Sequence, residues 1–141
     1  MRTPIAKNRP RRFRYLVAAV LLFAGLHGAL AQEVVREFTG TDSTLTGEFS
    51  VEGPWLLDWR LDADFEQLVA LDIALLDAKT GVHVGRVLHT KHKGNGLKLF
   101  EDGGVYRLRI SATLARWRIR IMQIEPEDAE KYTPRRESPR F

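Results

Sequence analysis

The residues best suited to chemistry in this chain are arginines that alternate with apolar residues. The segments VYRLRIS (105–111) and RWRIRIM (116–122) both show this alternation. A period of two is typical of strands with one face in a core, so the arginines are predicted to share the opposite, outer face. They are Arg107, Arg109, Arg116, Arg118 and Arg120. Because guanidinium groups match carboxylate and phosphate oxygens, the predicted chemistry is the binding of an anion.

A hairpin turning at Thr113-Leu114 is predicted to join the two segments. It places Ile110 opposite Trp117, and it satisfies the whole apolar face with one register. The same register places Arg109 opposite Arg118, and Arg107 opposite Arg120. Like charges in such positions are destabilising, so something must offset them.

Two sources of negative charge could offset the repulsion between these arginines, or their long side chains could splay apart into water. The first is a ligand, either an anionic envelope glycan or an acidic protein partner. The second is neutralisation by the carboxylates that follow in the sequence. These are Glu125, Glu127, Asp128 and Glu130.

Other constellations are weaker, and we predict no catalytic residue, no metal site and no cofactor. His83 and His89 are six positions apart, about 20 Å along a strand, so joint metal ligation would need a bend. The carboxylates between residues 58 and 66 lack the glycine turn of a calcium loop and are expected to be solvated. There is no cysteine, no Gly-x-Ser-x-Gly elbow, and no helix after Gly94-Asn95-Gly96 that would complete a phosphate loop.

Short alternating segments separated by turn residues continue through most of the chain. The turn signals are Gly53-Pro54, 77–81, 94–96 and 101–104. This spacing predicts about eight strands and no long helix. The predicted fold is all-β, a single antiparallel β-sandwich over residues 32–124, with Trp55, Trp59 and Trp117 in its core.

Residues 1–31 are predicted to be a signal peptide. A basic start precedes an apolar run from Tyr15 to Leu30, and Ala29-Leu30-Ala31 offers a cleavage site with small residues. The start contains six basic and no acidic residues. Cleavage would leave 16 of the 22 Lys and Arg residues against 18 Asp and Glu, a net charge of −2. A domain without basic excess is not expected to bind nucleic acid.

The predicted location is therefore periplasmic or secreted, with no membrane attachment after cleavage. One alternative is an uncleaved anchor, because residues 15–31 are just long enough for a spanning helix. Another is twin-arginine export through Arg11-Arg12, although Arg14 places a charge where such signals turn apolar. After the domain, residues 125–141 combine charge with proline and are predicted to be a disordered tail. A short helical turn at 127–131, with Pro126 in first position, remains an option there.

Residues 38–122 resemble small exported bacterial β-sandwich domains of the pre-peptidase C-terminal type. The likeness lies in the entry GTDST (40–44), the segment WLLDW (55–59), and the two arginine-containing segments. It implies a binding or accessory module and assigns no functional residue. Two alternatives stay open: a structural subunit of an envelope complex that docks through a strand edge, and an enzyme of unrecognised type.

We expect export to remove residues 1–31. Mass spectrometry of the protein recovered from the exporting cell should give an N-terminus at or within a residue or two of Gln32. Full-length chain in the membrane fraction would contradict cleavage and favour the anchor.

Overall fold

The computed structural model describes residues 32–134, which form nine strands and one short helix. The strands are β1 Glu33–Gly40, β2 Thr44–Leu45, β3 Phe49–Val51, β4 Trp55–Asp62, β5 Ala70–Asp77, β6 His83–Thr90, β7 Gly94–Phe100, β8 Gly104–Thr113 and β9 Arg116–Gln123; a 3₁₀ helix follows at Pro126–Tyr132. Sheet A has the order β1-β9-β4-β7, and sheet B has the order β2-β8-β5-β6 with β3 also pairing β8. Every pairing is antiparallel. The all-β prediction is confirmed in this sandwich-like form.

The core lies between the two sheets, where the apolar residues of both sets of strands meet. Leu57 and Ile119 of sheet A and Ile73 and Leu108 of sheet B are all fully buried. Trp55 stacks on Phe100 with ring centroids 4.3 Å apart. Removal of this apolar area from water is the main favourable term in folding.

The predicted burial of the tryptophans is correct for two of the three. Trp55 is fully buried and its indole nitrogen donates to the carbonyl oxygen of Asp102 at 2.9 Å. Trp117 is 5% exposed and donates to the carbonyl oxygen of Asp42 at 3.2 Å. Trp59 is only half-buried, against the rim of the core.

The predicted hairpin between β8 and β9 is wrong, because the two strands belong to different sheets. The chain crosses from sheet B to sheet A at Leu114 and Ala115. Alternation fixes which face of a strand is buried but does not choose the neighbouring strand. Pairing β9 with β4 places Asp58 opposite Arg120 and Asp62 opposite Arg116. At Arg120 an opposite charge therefore replaces the like charge that the hairpin would have placed there.

The predicted turn at Gly94-Asn95-Gly96 is also wrong, because all three residues lie in β7. Gly96 pairs with Trp59 of β4, and a Cβ added at Gly96 would lie 2.7 Å from the indole Nε1. Glycine here makes room for a side chain rather than turning the chain. The turn between β6 and β7 instead lies at residues 91–93.

The other turn signals agree with the structure. At the β5–β6 turn, the Asp77 carboxylate accepts the backbone N–H groups of Lys79 and Thr80 at 2.9 Å. These hydrogen bonds, the one from the Thr80 N–H first, hold the pKa of Asp77 below its ordinary value. Gly81 completes the turn at φ 72°, which an L side chain rarely adopts.

After residue 124, the alternative of a short helical turn is confirmed, and the prediction of disorder is wrong for residues 125–134. Pro126 begins the 3₁₀ helix, and Ala129 and Tyr132 pack on a second apolar cluster on the outer face of sheet A. That cluster consists of Leu56, Met122 and Ile124. Leu56 and Met122 lie on the opposite face of their strands from the main-core residues, so this cluster would be exposed to water if the helix did not pack on it. The predicted signal at 1–31 and the rest of the tail at 135–141 lie outside the described residues. Within residues 32–134, no helix has the length and apolar character needed to span a membrane.

Gly96→Ala should lower the free energy of unfolding by about 1–3 kcal/mol, because the new methyl group would overlap the Trp59 indole. Gly85→Ala in β6 is the matched control, since a Cβ there meets nothing within 4 Å. Urea unfolding of both variants measures the effect. Equal stabilities would show that the Trp59 ring moves freely aside.

Candidate anion-binding face

The five arginines singled out from the sequence lie on two separate faces. Arg107 and Arg109 are on β8 and therefore on the outer face of sheet B. Arg116, Arg118 and Arg120 are on β9 and therefore on the outer face of sheet A. A single surface of five arginines does not form, and each face has its own set of partners.

On sheet A, two of the three arginines are neutralised by neighbouring aspartates. Arg120 binds the Asp58 carboxylate through Nη2 at 2.7 Å and Nε at 3.2 Å. Asp58 is only 13% exposed and Arg120 is 31% exposed, so this pair is partly shielded from water. Paired charges of this kind lower the repulsion along the strand.

Arg116 bridges two carboxylates at the end of the same face. Its Nη2 binds Asp62 and its Nη1 binds Asp64, both at 2.8 Å. The hydrogen bond from Arg116 is the largest cause that holds the pKa of the Asp62 carboxyl below its ordinary value. The aspartates considered from the sequence as a calcium cluster therefore serve as arginine partners.

The prediction of which carboxylates neutralise these arginines was therefore wrong. The carboxylates that bind these arginines come from β4 and the loop after it, rather than from the chain between Glu125 and Glu130. Sequence distance was a poor guide here, because antiparallel pairing joins β9 to a strand that ends more than fifty residues earlier.

Arg118 differs from its neighbours on β9. Its cross-strand partner is Arg60 of β4, and no carboxylate of residues 32–134 forms an ion pair with either arginine. Thr39 of β1 pairs with Arg118 on one side, and Asn95 of β7 pairs with Arg60 on the other. We call Thr39, Arg118, Arg60 and Asn95 the arginine row. It crosses all four strands of sheet A and offers hydrogen-bond donors from every one of them.

Arg60 was missed by sequence reasoning. The signal was present in LDWRLD (57–62), where Asp58, Arg60 and Asp62 share the outward parity of β4. Their relation to β9 could not be read without the strand pairing, because the same parity is compatible with any neighbour. Only the strand register shows that Arg60 lies directly opposite a second arginine, Arg118.

Two shallow cavities adjoin the arginine row and share Arg60. The larger has a volume of about 530 Å³ and is lined by Arg60, Asn95, Leu97, Arg120 and Gln32, among others. The smaller has a volume of about 240 Å³ and is lined by Arg60, Arg118, Arg116, Asp62 and Trp117. The two cavities therefore hold charged, amide and apolar groups, including the carboxylates of Asp58 and Asp62.

The outer face of sheet B is more dispersed. Arg107 binds Glu48 at 3.0 Å, and Arg86 binds Asp72 at 3.5 Å. Arg109 lies between Leu45 and Ala74 of the adjacent strands, and its guanidinium forms no ion pair with any residue of the described range. No second arginine lies directly opposite it, so sheet B has no counterpart of the arginine row.

One row of sheet B contains the residue types of a hydrolase triad in an unsuitable order. Asp72 of β5 pairs with Ser111 of β8 on one side and His89 of β6 on the other. His89 Nδ1 lies 3.1 Å from the Asp72 carboxylate. The aspartate therefore separates the histidine from the serine, whereas a base must contact the nucleophile. In residues 32–134, no three His, Asp or Glu side chains converge as metal ligands.

Comparison with known proteins adds nothing to these observations: no family model matches the chain, and no match is found among curated proteins. The resemblance of residues 38–122 to pre-peptidase C-terminal modules stays a prediction. The residues of the site and their geometry are the basis for a function.

The two kinds of arginine on sheet A should respond differently to loss of charge. Asp58→Asn should lower the free energy of unfolding by about 1–2 kcal/mol, because it leaves the partly buried Arg120 without its ionic partner. Arg118→Gln should change it by less than about 0.5 kcal/mol, or raise it slightly by removing the repulsion from Arg60. Thermal and urea unfolding measure both. A strongly destabilised Arg118→Gln would mean that the arginine row is structural.

Proposed function

We propose that this protein is an exported, non-catalytic binding module that holds an anionic ligand on the outer face of sheet A. The observation that carries the proposal is the direct opposition of Arg60 and Arg118 without a carboxylate partner in the described range. Export, with residence in the periplasm or release from the cell, rests on the sequence of residues 1–31.

The energetic argument depends on the contrast between adjacent rows of the same two strands. In the rows on either side, an aspartate of β4 lies opposite an arginine of β9. In the arginine row, like charges in the same arrangement repel by about 1 kcal/mol near 4 Å in water, and by more at lower effective dielectric. An aspartate at position 60 would continue the pattern and remove that cost. A bound carboxylate or phosphate group would offset the repulsion and would use both guanidinium forks.

The surroundings favour a glycan that carries acidic groups. The cavity of about 530 Å³ beside Arg60 has the volume of a small ligand site. Its Asn95 and Gln32 amides can bind hydroxyl groups, and Leu97, which is 53% exposed, offers an apolar contact for a sugar face. An acidic surface of a protein partner would satisfy the same two arginines but would not need the cavity.

The second candidate function, docking through a strand edge, has less support. The edge strands β6 and β7 are bridged by Lys98, whose Nζ donates to the carbonyl oxygens of Arg86 at 2.9 Å and Val87 at 3.3 Å. An inward-pointing lysine on an edge strand discourages further strand pairing. At the other edge of sheet A, the register of β1 shifts between Val34 and Arg36, and such a bulge also disrupts an edge.

Binding to polygalacturonate, a polymer of acidic sugars, tests the proposal at low salt, with neutral dextran for comparison. Arg60→Gln with Arg118→Gln should weaken binding about tenfold, and salt should weaken the wild-type interaction. The matched control is Arg107→Gln with Arg109→Gln, which removes the same charge from sheet B. It should retain binding to within about twofold.

Amide chemical shifts recorded during the titration should change along the arginine row and near Asn95. An equal loss of affinity in both double variants would show non-specific attraction to a polyanion and would contradict the site. Unchanged affinity in the Arg60 and Arg118 variant would contradict it as well.

A further inference from the structure

A second surface lies at one pole of the two packed sheets, where apolar side chains project from two loops. The loop between β4 and β5 carries Phe65 and Leu68, both 61% exposed. The turn between β8 and β9 carries Leu114, which is 54% exposed. We call these three residues the apolar pole. Exposed apolar residues that are clustered, rather than scattered, mark interaction surfaces.

Leu114 is unfavourable at its position for two independent reasons. Its φ of 47° lies in the left-handed region, where the Cβ of a leucine crowds the backbone. Its side chain is also mostly in water, so burial does not offset that strain. Asparagine or glycine would suit the turn better on both counts. A leucine there is accounted for if the side chain makes a contact with another molecule.

A cavity of about 340 Å³ lies between Phe65 and Leu114. Thr41 and Asp42 of the β1–β2 connection form one side of it, and Asp64 and Arg116 form another. The cavity is therefore lined by both apolar and charged side chains.

The charge around this cavity is negative. Asp62 and Asp64 share the single guanidinium of Arg116. Glu66 pairs with Lys93, while the Asp42 carboxylate forms no ion pair with any basic residue of the described range. The lining of the cavity itself holds two carboxylates, those of Asp42 and Asp64, against the single guanidinium of Arg116.

We propose that the apolar pole binds a basic segment of a partner protein. One Lys or Arg of that segment would enter the cavity between Asp42 and Asp64, and a neighbouring apolar side chain would pack on Phe65 and Leu114. Complementary charge selects this occupant. An anionic lipid surface would meet the same apolar tips but would be repelled by the carboxylates. The proposal is independent of the arginine row, whose ligand is acidic.

Titration of the exported protein with the peptide acetyl-Leu-Arg-Leu-Arg-Leu-amide tests this surface. The matched peptide has Glu in place of both Arg residues. The basic peptide should shift the amide resonances of Asp42, Asp64, Phe65 and Leu114, and the acidic peptide should not. Asp42→Asn and Phe65→Ser should each weaken binding about tenfold. The control Val84→Ser, which removes an exposed apolar side chain from β6, should leave it unchanged.

Leu114→Asn separates a binding role from a structural one. It should raise the melting temperature by a few degrees, because it relieves the left-handed strain, and it should weaken the peptide about tenfold. Equal binding of both peptides, shifts confined to other surfaces, or full affinity in Leu114→Asn would overturn the proposal. Binding to phosphatidylglycerol vesicles that depends on Phe65 and Leu114 would overturn it in favour of a membrane.

Discussion

The pairing of β9 with β4 is the constraint on which the rest of this structure depends. It brings strands that are distant in sequence together at the centre of sheet A, and it sets Asp58 and Asp62 against Arg120 and Arg116. The same register leaves Arg60 and Arg118 facing one another. Arg116 and Arg120 are thus neutralised by the fold itself, and the pair of Arg60 and Arg118 has no carboxylate partner within residues 32–134.

The crossing between the two sheets explains how the chain reaches that pairing. A hairpin would have kept β8 and β9 together, with their arginines in opposition. The chain instead turns at Leu114 in a left-handed conformation and enters the other sheet. In sheet B, β8 then pairs with β5, where Ala74 lies opposite Arg109 and Asp72 opposite Ser111. Arg109 thereby exchanges a like-charged neighbour for a neutral one and Arg120 for an oppositely charged one, whereas Arg118 still faces an arginine, Arg60.

The sequence was sufficient for the strands and insufficient for their partners. Alternation correctly marked Ile110 and Trp117 as core residues, because burial acts on each strand separately. The hairpin prediction was wrong because alternation shows which side chains of a strand are buried but not which strand lies beside it. A short connection between two strands also usually indicates a hairpin. Gly96 was read as a turn because its role depends on Trp59, which lies on another strand. Ala129 and Tyr132 were assigned to a disordered tail because the outward-facing Leu56 and Met122 that they cover are identifiable only in the folded sheet.

The 3₁₀ helix has a further consequence for how the domain can be attached to anything else. Gln32, the first described residue, donates a hydrogen bond from its side chain to the hydroxyl of Tyr132, near the last. Both ends of the described chain therefore lie together, and the β1–β9 register places them at the end of sheet A away from Leu114. A tether at either end of the described chain would be attached on the side away from the apolar pole, and at Gln32 it would lie beside the cavity that this residue helps to line.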